Sequence, residues 1–226
     1  GLLSLTLNNK LALDKSQLTP QIIGFLKERL NFISTEYLTK KRLGKSVYQV
    51  EKYFKLIEEQ GDRVFIPRGF LNQLKIFLDQ NRIAYELSDE RPNLEPVQFS
   101  SNIKLFPEQS RAVEQAIQND CGVIVAPSGS GKTIIGLSLV DQRLLPALIL
   151  VHRKQLLDQW MERIESFLGI PKTHIGQYSG IKKRQGKQIT VAMMQSLTRL
   201  IPLGELKNQF GTIIVDECHH IPAKTF

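Results

Sequence analysis

Ala126-Pro127-Ser128-Gly129-Ser130-Gly131-Lys132-Thr133 constrains the fold more tightly than any other stretch of the chain. It follows a continuous apolar run at 122–126 and precedes a segment read as helix. The run fits the pattern G-x-x-x-x-G-K-[ST], with Ala126 in place of the first glycine. Gly129 and Gly131 let the backbone curl around an anion, and successive N–H groups then converge at a helix N-terminus. Lys132 adds a point charge for the outer phosphates of a polyphosphate, and the Thr133 hydroxyl suits a hard divalent cation such as Mg²⁺. A glycine-rich turn with no ligand would not need lysine and threonine in these two places.

Further apolar runs at 147–151, 189–192 and 212–215 lack alternation, which suits strands buried on both faces. Between them 153–168 places Leu156, Leu157, Trp160, Met161, Ile164, Phe167 and Leu168 at helical spacing. Alternating strands and helices predict an α/β domain with a parallel sheet covered on both faces. The last run ends in Asp216-Glu217-Cys218-His219-His220. Two adjacent carboxylates at a buried strand end are costly unless they serve a cation. Asp216 suits a Mg²⁺ ligand and Glu217 a group that polarises water. Zinc is the weaker reading of the same run, because consecutive Cys218, His219 and His220 converge poorly on one ion and no C-x-x-C partner exists.

Upstream, Ser88 to Pro96 is polar and carries two prolines, so the chain is expected to divide into 1–90, a linker at 91–102 and a domain at 103–226. The first part reads as a small α+β module. It has a hairpin turning at Asn8-Asn9, a helix opened by Thr19 and Pro20, a second hairpin pairing 53–58 with 63–66, a helical stripe from Phe70 to Leu78 and a strand at 83–87.

Composition narrows the class. The chain has 226 residues and a net charge of +8 spread over both halves, which favours an anionic partner, nucleic acid first. No stretch approaches the roughly 20 apolar residues of a membrane span, and no basic n-region opens a secretory signal. Cys121 and Cys218 make no disulfide framework. A cytoplasmic protein with two reduced thiols and no membrane partner is expected.

The motifs in order resemble the first motor domain of a superfamily 2 helicase, in which Asp-Glu-x-His is motif II. Leu105-Phe106-Pro107-Glu108-Gln109 is similar to the upstream glutamine motif, His152-Arg153-Lys154-Gln155 to motif Ia, and Met193-Met194-Gln195-Ser196 to a later strand–loop that touches the nucleic-acid backbone. The Asp-Glu-Cys-His box looks closest to repair, restriction and phage branch-migration helicases. The resemblance implies a RecA-like fold, ATP and Mg²⁺ as cofactors, and ATP contacts from Gln109, Ser128, Gly129, Ser130, Gly131, Lys132 and Thr133. It further implies catalytic roles for Lys132, Asp216, Glu217 and His219, metal ligation by Thr133 and Asp216, and DNA contacts from Arg153, Gln195 and Ser196. Phe65-Ile66-Pro67-Arg68-Gly69-Phe70 with its following helix is similar to the small domain before the motor in phage recombination helicases, which is associated with duplex or branched DNA. Lys40, Lys41, Arg42, Lys45 and Arg68 are the candidate contacts there. Lys182, Lys183, Arg184 and Lys187 form a second basic cluster. The second motor domain and its arginine fingers would follow Phe226 in a longer polypeptide. The competing expectations are the motor of a restriction or conflict system and a stand-alone nucleotide-dependent DNA-binding module.

Overall fold

The computed structural model describes residues 2–48, 50, 52–200, 206 and 208–218. The chain divides into two compact units, Gly1–Arg91 and Pro92–Phe226.

In the first unit β1 (Leu3–Leu7) and β2 (Lys10–Asp14) form the hairpin that the alternating leucines predict, pairing Leu5 with Leu13 and Leu7 with Leu11. Leu3, Leu5 and Leu7 are buried while Ser4 between them is exposed, so this sheet has one wet face. Helix α1 (Pro20–Leu30) starts where Thr19 Oγ1 accepts the Ile22 N–H, with Pro20 at the first helical position. β3 (Asn31–Ile33), α2 (Thr35–Arg42) and β4 (Tyr53–Lys55) follow. Next come β5 (Glu58–Gln60), β6 (Arg63–Pro67), α3 (Leu71–Gln80) and β7 (Tyr85–Asp89). The five-stranded order is β5-β6-β2-β1-β7, antiparallel except for β1 against β7. Ile22, Leu26 and Leu30 of α1 and Leu71, Leu74 and Leu78 of α3 cover its apolar face. Phe25 and Phe77 stack with centroids 4.0 Å apart.

The second hairpin is shorter than expected. Residues 53–55 leave it and pair with β3, and only β5 turns through Gly61 into β6. Helix α2 has no apolar stripe for a sequence scan to find. It forms on a Ser34 cap, whose Oγ accepts the Tyr37 N–H, and on three cations in its last turn that suit the negative end of the helix dipole.

The second unit opens with chain that packs along it. The Val97, Ser100 and Asn102 N–H groups donate to the carbonyls of Leu144, Leu168 and Phe167, and Phe99 and Ile103 lie against its core. Helices α4 (Pro107–Ile117) and α5 (Lys132–Arg143) lead to β8 (Ala147–Val151) and α6 (Lys154–Leu168). β9 (Gly176–Ser179), β10 (Lys182–Arg184), β11 (Ile189–Met193), α7 (Met194–Leu200) and β12 (Thr212–Val215) complete it. The sheet order is β10-β9-β11-β8-β12, parallel throughout except for β10. Ala147, Ile149 and Val151 face Leu157, Trp160 and Ile164 of α6, while Leu148 and Leu150 face Leu197 of α7 and Phe210. Both faces are thus covered, which is why β8 is buried at every position.

One expected strand is missing. Residues 122–126 form no strand, and Val123 and Val125 are 74% and 92% exposed. Apolar composition supplies β propensity but not a neighbour, and this segment has no ladder partner among the described residues. No described helix is long and apolar enough to cross a membrane.

Candidate nucleotide site and nucleic-acid edge

The glycine-rich turn enters α5 through two left-handed glycines, Gly129 at φ 80° and Gly131 at φ 81°. Gly131 is needed twice over, because a Cβ there would overlap the Gln109 amide nitrogen. No side chain caps α5, so its first-turn N–H groups are left for an anion. Ser130 Oγ donates to the Pro127 carbonyl and tightens the turn at 2.8 Å.

Gln109 ties this turn to α4. Its Oε1 accepts the Phe106 N–H at 3.0 Å, capping α4, and its Nε2 donates to the Ser130 carbonyl at 2.9 Å. A primary amide has two donors and two lone pairs, so one of each remains beyond these bonds.

Lys132 Nζ donates to the Ala126 carbonyl at 3.2 Å and lies 3.9 Å from Glu217 Oε1. Both side chains of the pair are about a third exposed (36% and 33%). An ion pair so open to water contributes roughly 0–1 kcal/mol, so the lysine can turn to a phosphate at small cost. Glu217 reaches it from a left-handed backbone at φ 53°, two residues past the end of β12; for a residue with a Cβ that conformation costs about 1–2 kcal/mol.

Asp216 continues β12, its N–H donating to the Leu150 carbonyl at 2.9 Å. Its Oδ2 accepts the indole N–H of Trp160 at 2.8 Å. That link joins core to site. Trp160 is 2% exposed in the α6 stripe, and its ring lies close to Gly136 of α5, where a Cβ would sit 2.9 Å from Cη2. Its place in the helical stripe of 153–168 explains Trp160 as packing alone. The overlooked signal was the obligatory donor that a buried indole carries.

Thr133 sits half-buried in the first turn of α5. Hydroxyl and carboxylate oxygens are the donors Mg²⁺ takes, and a group of three or more His, Cys, Asp or Glu ligands is absent among the described residues. The donor set fits a magnesium shared with phosphates rather than a protein-only cage. Cys218 is exposed; His219 lies outside the described residues.

The candidate nucleic-acid contacts fall in two places. Arg153, exposed, follows β8 and begins α6, and Gln195, exposed, follows β11. Gln195 Nε2 donates to the His152 carbonyl at 3.2 Å, which joins these two loops at the carboxyl edge of the sheet. Ser196 is 8% exposed and its Oγ accepts the Gly180 N–H at 3.2 Å, so it positions a loop from inside. Lys40, Lys41 and Arg42 end α2, Lys45 follows Gly44, and Arg68 opens the turn before α3. Lys40 also pairs with Glu36 at 2.7 Å.

A glycine-rich turn at the head of α5, with Lys132 facing Glu217 just past the end of a parallel strand, defines a P-loop protein of the RecA-like α/β class. Residues 102–226 match the family described as type III restriction enzyme, res subunit, and the chain belongs to that family. It is 36% identical over 129 residues to the DNA 3'-5' translocase XPB2 of Sulfurisphaera tokodaii, covering 57% of this chain and 28% of that protein. It is 33% identical over 128 residues to the DNA 3'-5' helicase XPB of Kineococcus radiotolerans, covering 54% of this chain and 23% of that one. The chain therefore spans about a quarter of the length of these relatives. The UvsW helicase of bacteriophage T4 has the same fold, with a TM-score of 0.69 at 18% identity over all of this chain and 86% of that one.

Proposed function

We propose that this chain is the nucleotide-binding half of a superfamily 2 DNA helicase or translocase motor, preceded by a small DNA-recognition module at 1–90. The observation that carries the reading is the approach of Lys132 to Glu217 across the P-loop, with Asp216 held beside them by Trp160. In ATP hydrolysis the 128–133 backbone and Lys132 bind the phosphates, and Gln109 turns its remaining donor and acceptor to the adenine. Thr133 and Asp216 would hold Mg²⁺, which would supply charge neutralisation for the phosphates. Glu217 orients the attacking water and takes its proton. His219 couples this site to the strand-binding edge, where Arg153 and Gln195 contact DNA and Ser196 supports them.

The charge stabilisation that arginine fingers provide, about 10³–10⁵ in rate, belongs to a second motor domain of the same polypeptide. Duplex or branched DNA is the partner, and the cytoplasm the setting. A restriction or conflict-system motor is the second reading, favoured by the description of the matching family.

Lys132→Ala tests the assignment. It removes a charge-assisted contact worth roughly 1.5–3 kcal/mol, so Mg-ADP affinity by calorimetry drops about tenfold or more. Equal binding by the two proteins would refute the site.

A further inference from the structure

The carboxyl ends of β8, β11 and β9 lie side by side in the sheet, so their loops form a row. The row runs from Arg153 through Gln195 and Ser196 to the turn Gly180-Ile181, about 10 Å across two strand spacings. That last turn is absorbed by none of the roles above. Ser179 pairs with Lys182, which makes Gly180-Ile181 a two-residue hairpin loop with Gly180 at φ 55°.

Ile181 is 98% exposed. Two-residue hairpin loops favour Gly, Asn, Asp or Ser for conformational reasons, and a β-branched apolar side chain at the tip answers none of them. The tip is also braced. The Gly180 N–H is held by Ser196 Oγ, and the Arg184 guanidinium donates to the carbonyls of Ile175 (2.6 Å) and Lys172 (3.2 Å), which pins the returning strand. Lys182, Lys183 and Arg184 follow the tip directly, all exposed. An apolar side chain on a rigid projection beside cations is the arrangement with which proteins open a base step. The cations hold the phosphates, and the apolar group replaces the lost stacking.

We propose that Ile181 is a wedge, set against the first base pair of the duplex where the strand bound along the carboxyl edge leaves it, with Lys182 on the neighbouring phosphate. This rests on the motor reading above and assigns the point at which that motor meets paired DNA. The exposed Lys182 next to the tip, and the tip's place at the end of the row of candidate backbone contacts, favour duplex DNA over a protein partner.

The test uses a forked duplex carrying 2-aminopurine at the first base pair, together with the matching single strand. Wild-type protein should raise the probe's fluorescence at saturation. Ile181→Ser should lose at least half of that rise while binding the single strand with unchanged affinity, and Ile181→Leu should keep it. Lys182→Ala should weaken fork and single strand alike and lower the salt slope by about one unit. An undiminished rise in Ile181→Ser would overturn the wedge and leave the motor reading standing. Absence of DNA binding by the wild type would remove both. Ile181 touches no core, so circular dichroism of the variants should match the wild type.

Discussion

Trp160→Phe separates the packing of the indole from its bond to the site. The ring is 2% exposed and its N–H is 2.8 Å from Asp216 Oδ2. Phenylalanine keeps most of the apolar volume but leaves a gap beside α5. Full truncation of a large aromatic costs about 3–5 kcal/mol, and this smaller change about 1–2. Hydrogen bonds to charged groups contribute roughly 1.5–3 kcal/mol. Asp216 is only half-buried, so water recovers part of that and about 1 kcal/mol is the expected net loss. Unfolding in urea should therefore show a loss of about 2–3 kcal/mol. The second effect is on metal. With its carboxylate no longer oriented, the gain in ADP affinity on adding Mg²⁺ should shrink about fivefold, which is what 1 kcal/mol amounts to. ADP binding in EDTA should stay as it is. Titration calorimetry with and without Mg²⁺ measures both. A stability loss with an unchanged magnesium increment would mean the indole N–H only satisfies itself and does not serve Asp216.

Gly131→Ala forces a Cβ onto the Gln109 amide at φ 81°, so nucleotide binding should be lost and stability should fall by about 1–3 kcal/mol, read by calorimetry and urea unfolding. Neutralising Lys40, Lys41 and Arg42 together should flatten the salt dependence of duplex binding by up to about three units, and an unchanged slope would move the binding face to the other unit. Residues 1–226 alone should show negligible DNA-stimulated ATP hydrolysis in a phosphate-release assay. A longer polypeptide with a second motor domain should hydrolyse ATP and should stop on Glu217→Gln, which keeps the shape and removes the base; strong hydrolysis by 1–226 would overturn the two-domain mechanism.

The features legible in the sequence are those fixed by neighbours along the chain. Alternating leucines announce β1 and β2, Thr19-Pro20 marks the start of α1, and the Leu157–Trp160–Ile164 stripe gives α6 its buried face. The glycine-rich turn into α5 is legible for the same reason, since Gly129 and Gly131 take the left-handed conformations that its pattern asks for. What escaped depends on distant partners. Residues 122–126 have the composition of a buried strand, but no strand exists without a ladder. β9 reads Gly-Gln-Tyr-Ser and is buried throughout, while β10 is three cations in a row; neither resembles an apolar run. Tyr53–Lys55 joins β3 instead of the nearer strand β6. The bond from Trp160 to Asp216 spans two elements that only the folded sheet brings together.

The bare 122–126 segment has a practical consequence. Val123 and Val125 are exposed, and β12 is the end strand of its sheet among the described residues, with Ile213 56% exposed. An exposed apolar segment and an exposed apolar sheet edge are both places that recruit strands from other molecules. Charge offers partial protection, since +8 keeps molecules apart at low ionic strength and salt removes that protection within a Debye length of about 8 Å at 0.15 M. The chain should be best behaved when dilute and salt-poor. The high-salt buffers commonly chosen to strip nucleic acid from a basic protein are the ones that should drive this one into oligomers.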